Sequence, residues 1–237
     1  MSRSVTRRGV DGFARSIRPR SGRAGWRTRA FRRLLVESLE DRRLLSSDWG
    51  DLPWPYPTLA AQNGARHEMV AGFHLGGFCD GEQDGQPTAD ATGDDLHLLD
   101  DEDGVRFLTA LVPGSPATVQ VAATIAAAGP GGQVARLDGF LDFNGDGDFG
   151  DVGERIFVAE PLHDGTQTLA FLVPGEADTN LQKMKYARFR MSSIGGLPAS
   201  GAATDGEVED YAVLVSPPAE ATLSFRYGTP PGTAPEN

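Results

Sequence analysis

Apolar residues recur at every second position through most of the chain beyond residue 105, in short runs broken by glycine and proline. Val119, Val121, Ala123 and Ile125 share one face, and Leu137, Gly139, Leu141 and Phe143 share another. Val105, Phe107, Thr109 and Leu111 read the same way, as do Ile156 with Val158, Leu169 with Phe171 and Val173, and Tyr211 with Val213 and Val215. Ala187, Phe189 and Met191 alternate with Arg188 and Arg190. Side chains on a strand alternate faces with a period of two, so each run buries one face and exposes the other. Short runs of this kind between turn residues predict an all-β fold, an antiparallel β-sandwich of about eight or nine strands with long acidic loops. No convincing long helical pattern interrupts them.

Charge divides the chain. The net charge of −11 combines +9 over residues 1–47, where thirteen arginines occur without a lysine, with −20 over the rest. Residues 1–47 lack strand patterning and read as a mostly disordered basic leader. Within it, residues 31–40 have the apolar spacing of a short amphipathic helix. The acidic remainder excludes a nucleic-acid partner for the main domain, because a phosphate backbone requires a basic footprint. No apolar run reaches the ~18 residues of a transmembrane segment. The single cysteine, Cys79, rules out a disulfide within the chain and reads as a small, partly buried apolar residue.

One loop carries recognisable chemistry. In Asp142-Phe143-Asn144-Gly145-Asp146-Gly147-Asp148-Phe149-Gly150-Asp151-Val152-Gly153-Glu154, side-chain oxygens recur at every second position, with glycines between. So many carboxylates in a short loop repel one another unless a hard cation neutralises them. Ca²⁺ accepts six to eight oxygen ligands in irregular geometry, so Asp142, Asn144, Asp146 and Asp148 are the expected ligands, with Asp151 or Glu154 closing the shell. The first seven positions follow the EF-hand spacing, but the twelfth is Gly153 and Glu154 comes one residue late. The flanks are strand-like, so the loop is expected on a β-hairpin.

Gly206-Glu207-Val208-Glu209-Asp210-Tyr211 resembles the signature of the GEVED domain family. Residues 63–67, 84–87 leading to 91–95, 100–105 and 142–148 resemble further blocks of that family in the same order, so the resemblance spans 48–215. It implies a bacterial extracellular module, usually one of several in large surface proteins and tied to no defined reaction. Ser38-Leu39-Glu40-Asp41-Arg42-Arg43-Leu44-Leu45-Ser46 resembles the LEPR-XLL segment near the N-terminus of many exported bacterial proteins, with Asp41 where that segment usually has proline. The organisation read from the sequence is therefore a leader at 1–47, a domain at 48–215, and a Pro/Gly-rich linker or tail at 216–237. Within the tail, Leu223, Phe225 and Tyr227 are patterned for one more strand.

Other chemistry is absent from the sequence. His67, His74, His97 and His163 lack zinc-site spacing, and no nucleophile elbow or phosphate-cradling loop occurs. The expected function is a non-catalytic, calcium-binding, secreted or cell-surface module with a structural or adhesive role. Its expected partners are cell-surface or matrix components, protein or glycan. The alternative is a carbohydrate-binding module that stacks sugars on Trp49, Trp54 and Tyr56. Asp205, Glu207, Glu209 and Asp210 either complete a cation site or pair with Arg188 and Arg190. The acidic stretch 80–103 is a second, weaker cation candidate.

Overall fold

The computed structural model describes residues 47–79, 81–93, 102–126 and 134–219. The basic leader through residue 46, its helical and LEPR-XLL-like segments, much of the 80–103 acidic stretch and the 223–227 strand pattern lie outside the described residues. Among those described there is no α-helix, and no helix is long and apolar enough to cross a membrane.

The structure is all-β. Among the described residues eleven strands form: β1 (Ser47–Trp49), β2 (Arg66–Glu68), β3 (Phe73–Leu75), β4 (Val105–Phe107), β5 (Pro116–Ile125), β6 (Val134–Leu141), β7 (Arg155–His163), β8 (Gly165–Leu172), β9 (Lys185–Ser192), β10 (Ala202–Ala203) and β11 (Glu207–Val213). The surplus over eight or nine comes from strands of two or three residues.

One antiparallel sheet has the order β11-β9-β6-β7. The second centres on β5, which pairs with β8 along one side and with β3 and β4 along the other. Their facing sides share one core, built from Phe73, Leu75, Val119 and Val121 of the second sheet and Leu137, Leu141, Phe189 and Met191 of the first. A small third sheet, β1-β2-β10, contains the parallel pair β2–β10.

Two details depart from simple alternation. On β7 the buried residues are Phe157 and Leu162, whereas Val158 is exposed, so the Ile156–Val158 face expected from the sequence is not the inward one. The β6–β7 register shifts around Gly139, and Ala159 takes φ 49°, which changes the parity along the strand. Gly139 is required there, since a Cβ would come within 2.7 Å of the Phe157 ring.

The second departure is β9. Ala187, Phe189 and Met191 enter the core as expected, but Arg188 and Arg190 on the other face are also fully buried. Residues 47–68 and the 197–205 connection cover that face. The Pro-rich stretch after Trp49 is thus part of a third layer whose edge includes strand β1.

Candidate metal centre and acidic signature

The 142–154 loop follows β6 and ends at β7. Its oxygens close it on its own backbone. Asp142 accepts hydrogen bonds from the Gly145 N–H and, at 2.9 Å, from the Gly147 N–H. Asn144 Oδ1 accepts from Asp146 N (2.8 Å), Asp146 Oδ1 from Asp148 N (3.3 Å), and Asp148 Oδ1 from Gly150 N (2.7 Å). These residue-to-residue-plus-two bonds are Asx turns, which explains the alternation of Asx with glycine. Gly145 and Gly147, at φ 69° and 98°, supply the left-handed conformations that the turns need.

The loop's far end returns to its start. Glu154 Oε1 accepts from Phe143 N (3.1 Å) and Oε2 from Asp151 N (3.2 Å). The Asn144 Nδ2 donates to both Asp146 and Asp151. Beneath the loop, Tyr56 donates its hydroxyl to Asp142, packs against Phe149 at 5.1 Å between ring centroids, and meets Tyr186 edge-on at 5.4 Å. Burial and Asp142 hold the Tyr56 phenol well above its ordinary range, so it remains a neutral donor.

The six expected ligand residues do lie on one loop, and all offer oxygen. As placed, however, no group of three His, Cys, Asp or Glu residues among the described residues is arranged to hold a metal ion. The Asn144 amide sits between carboxylates where a cation would be needed. A cavity of about 270 Å³ adjoins the loop, lined by Asn144, Asp151 and Glu154 and, from the β8–β9 connection, by Glu176. Nothing in the spacing of the sequence pointed to Glu176 or Tyr56.

Burial, followed by the charges of Asp142 and Asp146, raises the Glu154 carboxyl to about 7 against two opposing amide bonds. The folded protein therefore holds a proton that the unfolded chain releases near 4.5. In calcium-free buffer this group's contribution to stability is full below pH 4.5 and is lost as pH rises through about 7. Glu154→Gln should flatten that part of the stability–pH profile, measured by urea denaturation at intervals from pH 4.5 to 8. An unchanged profile would show that Glu154 titrates normally.

The proposed aromatic platform does not form. Trp49 is buried beneath the Arg66 guanidinium, 5.1 Å from its ring centroid, and Tyr56 is buried under the loop; of the three rings, Trp54 alone is exposed. The first two rings serve packing because their segment is a layer of the fold.

The acidic signature has a structural account. On β11, Glu207 accepts from Leu75 N and Glu209 accepts from Gly104 N at 2.8 Å, fastening the opposite sheet at β3 and just before β4. Asp210, on the other face, accepts from Asp51 N (2.8 Å) and Leu52 N (3.1 Å). It also takes a bidentate pair of bonds from Arg188, both 2.7 Å. Asp205 binds the Ser193 amide and hydroxyl. Of the two readings open for these four acids, pairing with arginine holds for Asp210, and the others mainly receive backbone amides. Burial, then Glu209 and Asp48, pushes the Glu207 carboxyl well above its usual range.

Arg190 takes a different partner. Its Nε donates to His67 Nε2 at 3.0 Å, and its other nitrogens donate to the carbonyls of Arg66, Pro198, Ser200 and Gly201. With Nε2 accepting, His67 must be neutral and donate from Nδ1 to the Asp205 carbonyl, 2.7 Å away. Burial and Arg190 accordingly hold its pKa well below the ordinary value.

Residues 136–214, which include the loop, both arginines and the acidic signature, match the model of the GEVED domain. The chain carries a GEVED domain. The match covers β6 to β11 and stops short of the blocks at 63–67, 84–95 and 100–105. The blocks at 63–67 and 100–105 bond to the matched GEVED stretch through His67, which accepts from Arg190, and through Gly104 N, which donates to Glu209, whereas Gly93 of the 84–95 block donates to Asp51, itself outside that stretch, at 2.6 Å. No curated protein and no solved structure gives a match to this chain.

Proposed function

We propose that this chain is a non-catalytic, calcium-binding extracellular β-module with a structural or adhesive role at the bacterial cell surface, toward protein or glycan components of that surface or its matrix. The observation that carries this reading is the 142–154 loop: six oxygen-bearing residues, three of them in Asx turns, beside a cavity lined in part by Asn144, Asp151, Glu154 and Glu176, with Glu154 crowded by Asp142 and Asp146. The all-oxygen donor set suits a hard cation. Asp142, Asn144, Asp146 and Asp148 would hold Ca²⁺, with Asp151 or Glu154 completing the shell once the Asn144 amide turns aside. The non-catalytic reading is supported by the use of the signature carboxylates on backbone amides and an arginine.

Extracellular sites often bind with Kd of about 10⁻⁴ to 10⁻³ M. At roughly 1 mM Ca²⁺ such affinity stabilises the fold by about 0.4–1.4 kcal/mol. Each kcal/mol moves Tm by roughly 2–4 °C in a domain of this size, so Ca²⁺ should raise Tm by a few degrees and EDTA should reverse the rise. Asp146→Ala should remove most of the shift while barely altering the metal-free protein. Asn144→Asp should destabilise the metal-free loop and enlarge the Ca²⁺ response. Calorimetric titration and melting of the three proteins test this; no binding heat and no Tm change for wild type at several millimolar Ca²⁺ would leave the loop as a self-bonded acidic turn.

A further inference from the structure

We propose a second Ca²⁺ site, separate from the 142–154 loop, where Glu207 and Glu209 of β11 meet Asp48 of β1 inside the fold. All three residues are buried, none more than 2% exposed. Glu207 and Glu209 stand two residues apart, so they share one face of the strand about 7 Å apart. Asp48 Oδ2 accepts from the N–H of Val208, the residue between them, at 2.6 Å. Three acids thus converge on one short piece of backbone.

Their printed partners hold them in place without balancing their charge. Glu207 Oε2 accepts from Leu75 N, and Glu209 Oε1 from Gly104 N at 2.8 Å. Glu209 Oε2 accepts from the Tyr211 hydroxyl at 2.9 Å. All of these donors are neutral. The charges that act most on Glu207 are those of Glu209 and Asp48, both negative. The buried arginines of β9 are engaged elsewhere. Arg188 pairs with Asp210 on the opposite face of β11, and Arg190 donates to His67. Asp48 acts on Arg190 less than Asp210 or Asp138 does.

One oxygen is left over. Glu207 Oε1 is buried and accepts no hydrogen bond of ordinary geometry among the described residues. The Cys79 thiol beside this carboxyl is a weak donor. A buried polar atom left in this way points to an ion or a water. A water would satisfy Oε1 but leave the crowded negative charge uncompensated, whereas a cation answers both. Burial and the two neighbouring charges hold the Glu207 carboxyl well above its usual range, as a site short of positive charge requires. Carboxylate oxygens in irregular array suit Ca²⁺. As placed, no three of the described acids are arranged to hold an ion. Glu207 Oε1, tied to no amide, is the arm that turns to it, while Asp48 and Glu209 supply the remaining charge. The ion then ties β11 to β1 directly and to β3 through the Leu75 amide that Glu207 holds.

The test counts Ca²⁺ ions bound per chain, by calorimetric titration and equilibrium dialysis of the full chain and its variants at pH 7.5. Glu207→Gln keeps an acceptor for Leu75 N and removes a buried charge, so it should fold; Asp48→Asn is the second variant. Each should bind one ion fewer than wild type, as should Asp146→Ala through the loop, leaving none in Asp146→Ala/Glu207→Gln. Equal ion counts in wild type, Glu207→Gln and Asp48→Asn would overturn the proposal. A single wild-type ion lost in Glu207→Gln but kept in Asp146→Ala would uphold this site and remove the loop site. The reverse pattern would keep the loop and overturn this site, and a wild type that binds no Ca²⁺ would overturn both.

Discussion

Arg188→Met should destabilise the protein by about 3–5 kcal/mol, the range for removing one partner of a buried ion pair. Arg188 and Asp210 are both fully buried, and the pair is bidentate at 2.7 Å. Without Arg188, the Asp210 carboxylate keeps its two amide donors, Asp51 N and Leu52 N, but loses its counter-charge. The carbonyls of Pro57 and Ala199 lose a donor at the same time. Roughly 2–4 °C of Tm per kcal/mol makes the expected fall on the order of 10 °C. Adding Asp210→Leu to Arg188→Met removes the stranded charge and should recover part of the loss, though not the part due to the abandoned amides. Urea denaturation of the two single variants and the double variant gives the coupling directly. A loss below about 1 kcal/mol for Arg188→Met would mean that solvent reaches Asp210.

Gly206→Ala should be as damaging, by about 3–5 kcal/mol, through steric conflict. A Cβ at Gly206 would lie 1.8 Å from the Met191 carbonyl oxygen and 3.2 Å from His67 Nδ1, and the residue has φ 93°. Neither the β9 backbone nor the His67–Arg190 pair has room to withdraw. Gly196→Ala is the matched control: its φ is also positive, at 72°, but nothing lies within 4 Å of the added methyl. That variant should lose only the conformational cost of about 1–2 kcal/mol. Denaturation midpoints separate the two, and equal losses would show that backbone conformation, not crowding, requires glycine at 206.

The sandwich was legible because its core strands obey period-two alternation, and Phe189, Met191, Val119 and Val121 all go where that pattern sends them. The pattern misled where a face was expected to meet water. Arg188 and Arg190 read as the solvent side of β9, yet a layer from residues distant in sequence buries them, and no local pattern reports that. The parity change on β7 was hidden for a similar reason, since it depends on the register with β6. The candidate metal loop was legible as a loop because Asx and glycine alternate in it. Its contacts with Tyr56 and Glu176 were not, because they depend on chain crossings. The signature carboxylates looked interchangeable in the sequence, but their roles diverge with strand face: Glu207 and Glu209 reach one sheet partner, and Asp210 reaches the other layer.

The amide bonds of Asp210 to Asp51 and Leu52 span 159 and 158 residues of sequence. The first segment of the domain to leave the ribosome therefore waits for nearly the last before its amides find their acceptor. Closing so long a loop is slow compared with local pairing. During synthesis at about 5–20 residues per second, residues 47–58 spend on the order of ten seconds or more without the strand that fastens them. A nascent chain arrested before residue 207 should hence remain open to protease at that segment, and release of the last strand should close it.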